Sequence, residues 1–422
     1  MQPNQTSRTM LFPPLSSDSR LLFATRSLRL FAYGFLSVVL ALYLAELGLD
    51  ERQIGLLLTL TLVGDTVISL WITTNADRIG RRRMLSAGAA LMVLAGAAFA
   101  LTRNFLVLTL AATIGVISPS GNEIGPFLPV EQAALSQLVP NQRRTSVLAW
   151  YHLVGSFATA LGALFGGVLS QGLQGRGFLP LESYRAVVMG YAAAGVFLVA
   201  LFARLSSSME VSTNSAGMEG RAAGWPGLGL YRSKRIVLKL AALFSLDAFA
   251  GGFVIQSLVV YWFYTRFGVK PALLGSIFFG ANILAGVSAL SAAWIARRIG
   301  LIRTMVFTHL PSNVLLMLVP LMPNLLLAIV VLLLRFSISQ MDVPTRQSYT
   351  MAVVEPNERS AASGVTGVAR TIGASLAPVF TGLFLSNPAL LGMPFLVSGA
   401  LKVVYDFALY RSFRAVKTPE ES

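Results

Sequence analysis

The sequence contains twelve separate apolar stretches, each long enough to cross a lipid bilayer. A membrane-spanning helix needs about 20 predominantly apolar residues. Because the bilayer core holds no water, a single span must satisfy its own backbone hydrogen bonds, and a helix does so. We therefore predict an all-α membrane protein with twelve transmembrane helices, at residues 21–47, 54–76, 84–102, 105–137, 145–171, 185–205, 236–265, 272–296, 304–321, 325–352, 361–385 and 391–411.

The composition excludes several other classes of protein. Hydrophobic residues make up 55% and charged residues 12% of the chain, whereas about a quarter of the residues in soluble domains are charged. The absence of cysteine excludes a disulfide-stapled secreted domain and a cysteine-based metal site. A net charge of +15 favours nucleic acid only if the charges share one exposed face. Here the charges lie between apolar stretches, so we predict a lipid bilayer as partner and no nucleic acid.

The Lys and Arg residues predict the orientation of the spans. If both termini are cytoplasmic, most of the 33 basic residues fall on the cytoplasmic side, as the positive-inside rule requires. The outer side then receives Arg52, Arg103, Arg176, Arg185, Arg266 and Lys270. We predict a multi-pass protein of the cell or plasma membrane with both termini in the cytoplasm.

One long polar connection divides the chain into two halves. It is rich in Ser, Gly and charge, which is typical of a flexible linker. The predicted organisation is a cytoplasmic tail at residues 1–20, a six-helix bundle at 21–205, a cytoplasmic linker at 206–235, a second six-helix bundle at 236–411 and a cytoplasmic tail at 412–422.

The two halves repeat each other in sequence. Residues 27–35, 76–80, 140–143 and 162–167 match residues 245–253, 296–300, 356–359 and 377–382, in the same order and at nearly constant spacing. The alignment makes Arg29 equivalent to Asp247, and Glu131 equivalent to Arg346. Parallel repeats of six spans are typical of one class of secondary transporter, whose solute site lies near the midplane between the halves. We thus predict two bundles related by a pseudo-twofold axis.

The turn after the second span carries a recognisable motif. Residues 73–82 read Thr-Thr-Asn-Ala-Asp-Arg-Ile-Gly-Arg-Arg, and the major facilitator superfamily has Gly-x-x-x-Asp-Arg-x-Gly-Arg-Arg at this place. With Thr73 replacing the first glycine, the chain resembles this superfamily over essentially its whole length. Residues 162–167, Gly-Ala-Leu-Phe-Gly-Gly, are similar to the Gly-Pro-x-x-Gly-Gly pattern of its antiporters. The resemblance implies a monomeric secondary transporter of a small-molecule substrate, working by alternating access.

The resemblance also implies a gate at this turn. Asp77 with Arg78, Arg81 and Arg82 is expected to form a latch that holds the cytoplasmic side shut and breaks when the halves rock. The alternative is that the arginines only anchor the topology, although that alternative leaves Asp77 without a role.

A polar stretch interrupts the fourth span. Residues 117–132 hold three prolines, two glycines, Asn122 and the carboxylates Glu123 and Glu131. Backbone breakers and charge at membrane depth are tolerated only where protein or water covers them, so we predict that this stretch lines a polar cavity. Glu123, beside Asn122, is a candidate for proton or solute handling. The alternative for Glu123 is a structural carboxyl that caps backbone groups freed by the prolines. For Glu131, gating or an ion pair is predicted.

The tenth span carries a polar stripe. Arg335, Ser339, Asp342 and Arg346 recur at i, i+4, i+7 and i+11, so they share one helix face. Because Glu131 and Arg346 carry opposite charges at equivalent positions, we predict a contact between them across the interface. The alternative is that Asp342 and Arg346 pair with each other at i,i+4.

Spans one and seven show the same charge inversion, and the resemblance places both along the solute path. An unpaired charge within hydrocarbon is costly, so Asp247 is predicted to carry a proton or to pair with Arg29. A structural pair is the alternative. The remaining buried groups receive simpler expectations: pairing or a direct role for Asp65 and Arg370, mutual pairing for Lys402 and Asp406, helix packing for His152 and His309, and close helix approach at Gly162, Gly166 and Gly167.

The sequence shows no phosphate-binding loop, nucleotide motif, metal-ligand spacing or nucleophile–base pair. We therefore predict neither an enzyme nor a protein that depends on a cofactor. Titratable carboxylates within spans and the glycines of residues 162–167 favour proton-coupled export of a small organic compound. A first alternative is transport of an anionic solute held by Arg29, Arg335, Arg346 and Arg370. A second is a non-transporting membrane receptor or scaffold of the same fold.

Overall fold

The computed structural model describes residues 16–122, 125, 127–210 and 230–414, and these form helices joined by short turns. The helices, numbered in chain order, are α1 Ser17–Ser37, α2 Leu40–Glu46, α3 Glu51–Ile79, α4 Arg81–Leu101, α5 Phe105–Ile114, α6 Phe127–Leu138, α7 Asn141–Gln174, α8 Pro180–Ala203, α9 Lys234–Gly252, α10 Gln256–Phe267, α11 Pro271–Ile299, α12 Leu301–Leu318, α13 Leu325–Ile338, α14 Asp342–Ala352, α15 Arg359–Leu376, α16 Pro378–Leu385 and α17 Met393–Phe413.

The described helices account for the predicted spans. Ten spans are long and apolar enough to cross a membrane, and α1 with α2, bent by 44°, makes an eleventh. The remaining predicted span, the fourth, contains α5 and α6, and the described residues between them, 115–122 and 125, are not helical. The prediction of an all-α membrane protein with a twelve-span architecture is therefore confirmed.

Five of the predicted spans are broken along their length. The breaks separate α1 from α2, α5 from α6, α9 from α10, α13 from α14, and α15 from α16. Two of them coincide with Gly251-Gly252 and with Pro378, residues that weaken or end a helix. Four of the broken spans form two pairs under the sequence repeat, the first with the seventh and the fourth with the tenth. Irregular backbone at membrane depth is tolerated where it lines a cavity, so these breaks indicate where the cavity walls lie.

Each half packs extensively within itself. In the first half, α1 lies against α7 and α8, and α4 lies against α8. In the second half, α9 lies against α15 and α17, and α12 lies against α17. The halves meet where α7 packs on α11 and where α3 packs on α15 and α16.

Glycines on α7 allow its closest helix contacts. A Cβ atom on Gly162 would lie 2.0 Å from the carbonyl oxygen of Phe31, so α7 and α1 approach more closely than any side chain permits. Gly166 has the same relation to Phe35 of α1. Gly167 faces the other half, where a Cβ would lie 2.2 Å from the carbonyl oxygen of Pro271. The three glycines thus make the close helix approach that the sequence led us to expect.

The ends of the linker lie on one face of the protein, which we call the linker side. There, the carboxylate of Asp18 accepts hydrogen bonds from the N–H of Ser206 at 3.1 Å and from the hydroxyl of Ser208 at 2.6 Å. These bonds join the start of α1 to the chain that follows α8. The face at the other ends of the helices is called the opposite side.

Candidate functional site

A cavity of about 670 Å³ lies between the two halves. This volume is within the range of sites for small molecules. Its walls come from α1, α3 and α7 of the first half and from most helices of the second half. The charged residues that line it are Arg26, Asp65, Asp247, Arg335, Asp342, Arg346, Arg370 and Lys402.

Contacts between the halves close the cavity on the opposite side. The hydroxyl of Ser257 donates to the carbonyl oxygens of Ser37 at 2.9 Å and Pro119 at 2.7 Å. The hydroxyl of Tyr261 donates to Glu51 at 2.9 Å. Glycines bring the backbones together here as well, because Gly55 faces Gly382 and Gly167 faces Gly275. The structure is therefore closed toward the opposite side.

Arg29 and Glu131 form a buried ion pair inside the first half. Nη1 and Nη2 of Arg29 donate to Oε1 and Oε2 of Glu131 at 2.8 and 2.7 Å, and both side chains are 0% exposed. Thr25 donates to Oε1 at 3.1 Å and the hydroxyl of Tyr151 donates to Oε2. A buried pair is stable only when its remaining hydrogen-bonding capacity is used, and Thr25 and Tyr151 supply donors for that purpose.

Asp247 is the centre of a cluster of basic groups in the second half. Lys402 Nζ lies 2.6 Å from Asp247 Oδ1, and nitrogens of Arg346 and Arg370 lie 3.4 and 3.5 Å from Oδ2. His309 Nε2 is 3.8 Å from Oδ1. The carboxylate thus has the partners that its burial requires, and they come from four helices, α12, α14, α15 and α17.

The two clusters are equivalent under the repeat but have opposite polarity. Arg29 on α1 pairs with Glu131 on α6, while Asp247 on α9 contacts Arg346 on α14. The predicted contact between Glu131 and Arg346 was therefore wrong, as was the pairing of Asp247 with Arg29. Equivalent positions lie in different halves on either side of the cavity, and each charge meets its partner within its own half. The i,i+4 alternative is confirmed, because Arg346 Nη1 lies 2.6 Å from Asp342 Oδ2.

Lys402 and Asp406 do not pair with each other as expected. Lys402 points to Asp247, whereas Asp406 accepts from Asn313 at 2.9 Å and lies 2.8 Å from Nδ1 of His309. The prediction failed because the two side chains leave α17 toward different neighbours, α9 and α12. His309 is consequently part of the polar cluster and not a simple packing residue. Its only signal in the sequence was a lone histidine among apolar residues.

The polar stretch of the fourth span, residues 117–132, is non-helical at residues 117–122 and 125 and enters α6 at Phe127. Asn122 lines the cavity, and the hydroxyl of Ser118 donates to its carbonyl oxygen at 2.8 Å. Asp65 of α3 also lines the cavity and accepts a hydrogen bond from the N–H of Gly125 at 3.1 Å. Gly125 has a φ of 88°, which glycine adopts without strain. Glu123, the first candidate for proton handling, lies outside the described residues.

His152 was expected to pack between helices, but it also makes polar contacts at the cavity wall. Its Nε2 lies 2.9 Å from the side-chain amide of Gln132, and its Nδ1 lies 3.4 Å from Nη2 of Arg26. The sequence did not single out Arg26, because its position near the start of α1 resembles that of an interfacial residue.

The motif turn lies on the linker side, between α3 and α4. Gly80 joins the two helices with a φ of 112°, a conformation that other residues rarely adopt. Arg81 Nε donates to Asp77 at 2.7 Å, and the Asp77 side chain is 62% exposed. The carboxylate of Glu210 accepts the backbone N–H groups of Arg81 at 2.7 Å and Arg82 at 3.1 Å. Glu210, which the sequence analysis did not single out, therefore caps the start of α4.

Arg78 and Arg82 of the same turn are exposed. Arg82 Nη1 donates to the carbonyl oxygen of Leu205 at 3.2 Å. The hydrogen bonds of this turn hold it to the end of α8, within the first half.

Glu358 makes the corresponding contact in the second half. Its carboxylate accepts the backbone N–H groups of Tyr231, Arg232 and Ser233, each at 2.9 Å, just before α9 begins. Burial by itself raises the pKa of this carboxyl, but the backbone donors outweigh it and lower the pKa from 4.5 to about 2. Both ends of the linker are thus tied down by a carboxylate.

The sequence from residue 22 to residue 378 matches the profile of the Major Facilitator Superfamily. The chain belongs to the Major Facilitator Superfamily. It is therefore a membrane transporter and not an enzyme. The resemblance seen in the Asp77–Arg82 motif is confirmed over most of the chain.

Among curated proteins, the chain is 31% identical over 430 residues to an uncharacterized membrane protein of Saccharomyces cerevisiae, YJR124C, covering 96% of each chain. It is 28% identical over 213 residues to a Na⁺, Li⁺, K⁺/H⁺ antiporter of Planococcus maritimus, covering 47% of this chain and 45% of that protein. It is 26% identical over 138 residues to the quinolone resistance protein NorA of Staphylococcus aureus, covering 33% of this chain and 34% of NorA.

Solved structures share the superfamily fold at low sequence identity. A bacterial homolog of the human lysosomal transporter Spinster superposes with a TM-score of 0.73 at 15% identity, covering 94% of this chain and 96% of that one. A D-xylose–proton symporter superposes with a TM-score of 0.70 at 15% identity, covering 96% of this chain and 98% of the other. At this identity the likeness establishes the fold alone.

Proposed function

We propose that this protein is a proton-coupled secondary transporter that exports a small organic compound by alternating access. The observation that carries the proposal is a chain of titratable groups in the cavity wall. Asp247 lines the cavity, and His309 lies between Asp247 and Asp406, 3.8 Å from the first and 2.8 Å from the second. A histidine between two carboxylates is suited to receive and pass a proton.

The coupling step follows from the surroundings of Asp247. The carboxylate shares its oxygens with Lys402, Arg346 and Arg370. A proton held on the Asp247–His309–Asp406 chain weakens the hold of these carboxylates on the basic groups around them. Export driven by an inward proton gradient requires the solute and the proton to occupy the site in alternate half-cycles. We therefore propose that the proton binds this chain after the solute has left, and that its release on the linker side precedes the next loading of solute. Glu123 remains a second candidate for the proton.

Alternating access is proposed to occur by rocking of the halves about their contacts. The structure is closed on the opposite side by Ser257, Tyr261 and the facing glycines. We propose that the linker side is cytoplasmic, with both termini there, in the plasma membrane, and that the protein acts as a monomer. Closure of the linker side is proposed to engage the latch at Asp77.

Distant relatives support the direction and the coupling ion. Of the two bacterial relatives, the first is an antiporter that exchanges monovalent cations for protons, and the second is a quinolone resistance protein. The first name supports proton coupling, and the second is consistent with removal of a small organic compound from the cell. Each relative covers less than half of this chain, so the names support the proposal without deciding the solute.

The test is reconstitution of the full chain into liposomes that contain a pH-sensitive dye. Addition of the transported solute is expected to move protons, and the movement should be lost in Asp247→Asn and strongly reduced in His309→Gln. Glu46→Gln, at an exposed position on the opposite side, is the matched control and should behave as wild type. Full proton coupling in both cavity variants would defeat the assignment. Solute binding without any flux would favour the receptor or scaffold alternative.

A further inference from the structure

The second-half wall of the cavity holds more positive than negative groups. It contains four basic side chains, Arg335, Arg346, Arg370 and Lys402, and two carboxylates, Asp247 and Asp342. Among the described residues, the first-half wall contributes one of each sign, Arg26 and Asp65. The excess of positive charge therefore belongs to the second half, and it faces the cavity.

Each of the two carboxylates makes its shortest contact with one basic side chain, which leaves the other two basic side chains without a close carboxylate. Arg346 lies 2.6 Å from Asp342, and Lys402 lies 2.6 Å from Asp247. Arg370 has only a 3.5 Å contact with the already shared Asp247, and its side chain is 33% exposed toward the cavity. Two arginines are thus left with spare hydrogen-bond donors.

Arg335 has the less satisfied environment of the two. No carboxylate of the described residues lies within 4 Å of its nitrogens, and its Nε is buried without a hydrogen-bond partner among them. Its guanidinium carbon lies 4.8 Å from the centre of the Phe336 ring. Such a ring contact provides weak stabilisation but no negative charge.

The depth of Arg335 makes its charge costly. It lies ten residues after the start of α13, and at 1.5 Å per residue this is about 15 Å, or half of a bilayer core of about 30 Å. A charge near the midplane that lacks a partner destabilises the protein, and such charges are retained where function needs them. Among the residues that the structure describes, Arg335 therefore has no negatively charged partner, although its position calls for one.

We propose that the solute is an organic anion, and that its acidic group binds between Arg335 and Arg370. Arginine donates two parallel hydrogen bonds to a carboxylate, so a carboxylate fits both the charge and the donor geometry. The apolar part of the solute lies against Phe278, Phe336 and Phe395, which line the same cavity. A cationic solute is disfavoured because Asp247 and Asp342 are already engaged. This inference rests on the proposed function only in taking this cavity as the transport site.

The proposal assigns different roles to the arginines of the sequence-based anion hypothesis. Arg29 is excluded from the binding site, because it is fully buried against Glu131. Arg346 acts as a positioning residue through Asp342 and Asp247. Arg335 becomes the residue that determines specificity for a negative charge.

The first experiment measures thermal unfolding of the purified full chain in detergent, alone and with a panel of probes. The panel contains acetate, benzoate, succinate and phthalate as anions, benzamide as a neutral analogue and benzylamine as a cation. A ligand that binds only the folded state raises its Tm. We expect carboxylates with an apolar body to raise the Tm of the wild type, and benzamide and benzylamine to have no effect.

Variants separate binding from folding. In Arg335→Gln the response to carboxylates should be lost, with binding at least about tenfold weaker, since a charged hydrogen-bonding partner has been removed. Arg335→Lys should retain part of the response. The unliganded Arg335→Gln protein should have a Tm equal to or above that of the wild type, whereas loss of a structural arginine would lower it. Arg103→Gln, at an exposed position on the opposite side, is the matched control.

Any one of three results would overturn the inference. They are a wild-type Tm that no carboxylate raises, a carboxylate-induced rise in Tm that is undiminished in Arg335→Gln, and a Tm that is raised by benzylamine and not by the carboxylates. Liposome flux distinguishes this failure from that of the proposed function. Proton movement driven by an uncharged solute, unchanged in Arg335→Gln, would defeat the anion inference and leave the proposed function intact. Carboxylate binding that depends on Arg335 but moves no proton would support the anion inference and defeat the proposed proton-coupled transport.

Discussion

Arg29 and Glu131 form a two-pronged ion pair, at 2.8 and 2.7 Å, between two helices of the first half, and neither side chain reaches solvent. Their counterparts under the repeat, Asp247 and Arg346, contact each other with the charges exchanged. The first-half pair is sealed by Thr25 and Tyr151, whereas the second-half cluster opens onto the cavity. One half therefore uses its charges to hold helices together, and the other half exposes its charges to the cavity.

Loss of the Glu131 carboxylate should destabilise the protein strongly. Glu131→Gln leaves Arg29 buried without its counter-charge, which we expect to lower the free energy of unfolding by about 3–5 kcal/mol. Denaturant or thermal unfolding in detergent measures the change. Glu46→Gln removes an exposed carboxylate and should change the stability by less than about 0.5 kcal/mol.

The separation of the two charge clusters can be tested with a double-mutant cycle. Glu131 and Arg346 have separate partners, so the destabilisations caused by Glu131→Gln and Arg346→Gln should add to within about 0.5 kcal/mol. The cycle is measured by the same unfolding experiments. A coupling energy well above that value would show that the two side chains interact across the cavity after all.

The carboxylate of Glu358 should make stability depend on pH in the acid range. Its pKa is lowered from 4.5 to about 2 in the folded protein, so its contribution is fully present above pH 4.5 and is lost as the pH falls toward 2. Glu358→Gln should be less stable than wild type at neutral pH, and the difference should shrink between pH 4.5 and 2. Unfolding measured across this range in both proteins checks the sign. Glu355→Gln, at an exposed neighbouring position, should leave the pH profile unchanged.

The facing glycines on the opposite side should control closure there. A Cβ on Gly55 would lie 2.6 Å from the carbonyl oxygen of Pro378, so Gly55→Val should hold the halves apart on that side. The chain has no cysteine, so a single Thr59→Cys can report access to a membrane-impermeant maleimide. Labelling from the opposite side should be faster with Gly55→Val. Gly172→Val is the control, because a Cβ there meets nothing within 4 Å, and it should not change the labelling rate. Equal labelling rates in Gly55→Val and Gly172→Val would show that the added side chain at residue 55 does not hold the halves apart.

Asp77 should matter for transport and not for folding. Its ion pair with Arg81 lies at the surface, and such pairs contribute at most about 1 kcal/mol to stability. Asp77→Asn should therefore insert and unfold as wild type does, while its transport rate falls by about tenfold or more, corresponding to about 1.4 kcal/mol on the barrier. Flux into liposomes and thermal unfolding measure the two effects. Normal flux in this variant would rule out the latch.

The architecture could be predicted from the sequence, but the ion-pair partners of the buried charges could not. The lengths of the apolar stretches predict where the spans lie, and the repeat identifies equivalent residues. The opposite charges of Arg29 and Asp247 at equivalent positions could therefore be recognised from the sequence. Which charges meet depends on how each helix is rotated in its bundle. Arg29 and Glu131 are separated by 102 residues along the chain, and no local pattern relates them.

Spacing of i,i+4 predicts an ion pair correctly at one place in the chain and wrongly at another. Asp342 and Arg346 pair at i,i+4 as that spacing permits, but Lys402 and Asp406, at the same spacing, do not. Lys402 has a second acid within reach on α9, and Asp406 has His309 and Asn313 on α12. In a buried site, several partners compete for each charge, and tertiary packing decides among them.

The linker is secured separately at its two ends. Glu210 binds the start of α4, within the first half, and Glu358 binds the residues that precede α9, within the second. Each anchor thus uses residues of its own half, and the segment 211–229 connects the two anchors along the chain. Two polypeptides divided within that segment would each keep their anchoring carboxylate, and the backbone contacts at Gly55 and Gly167 would remain to join them. If two such polypeptides assemble when they are produced together, covalent continuity is not required for the contacts between the bundles, and the linker then serves to supply the bundles in equal number.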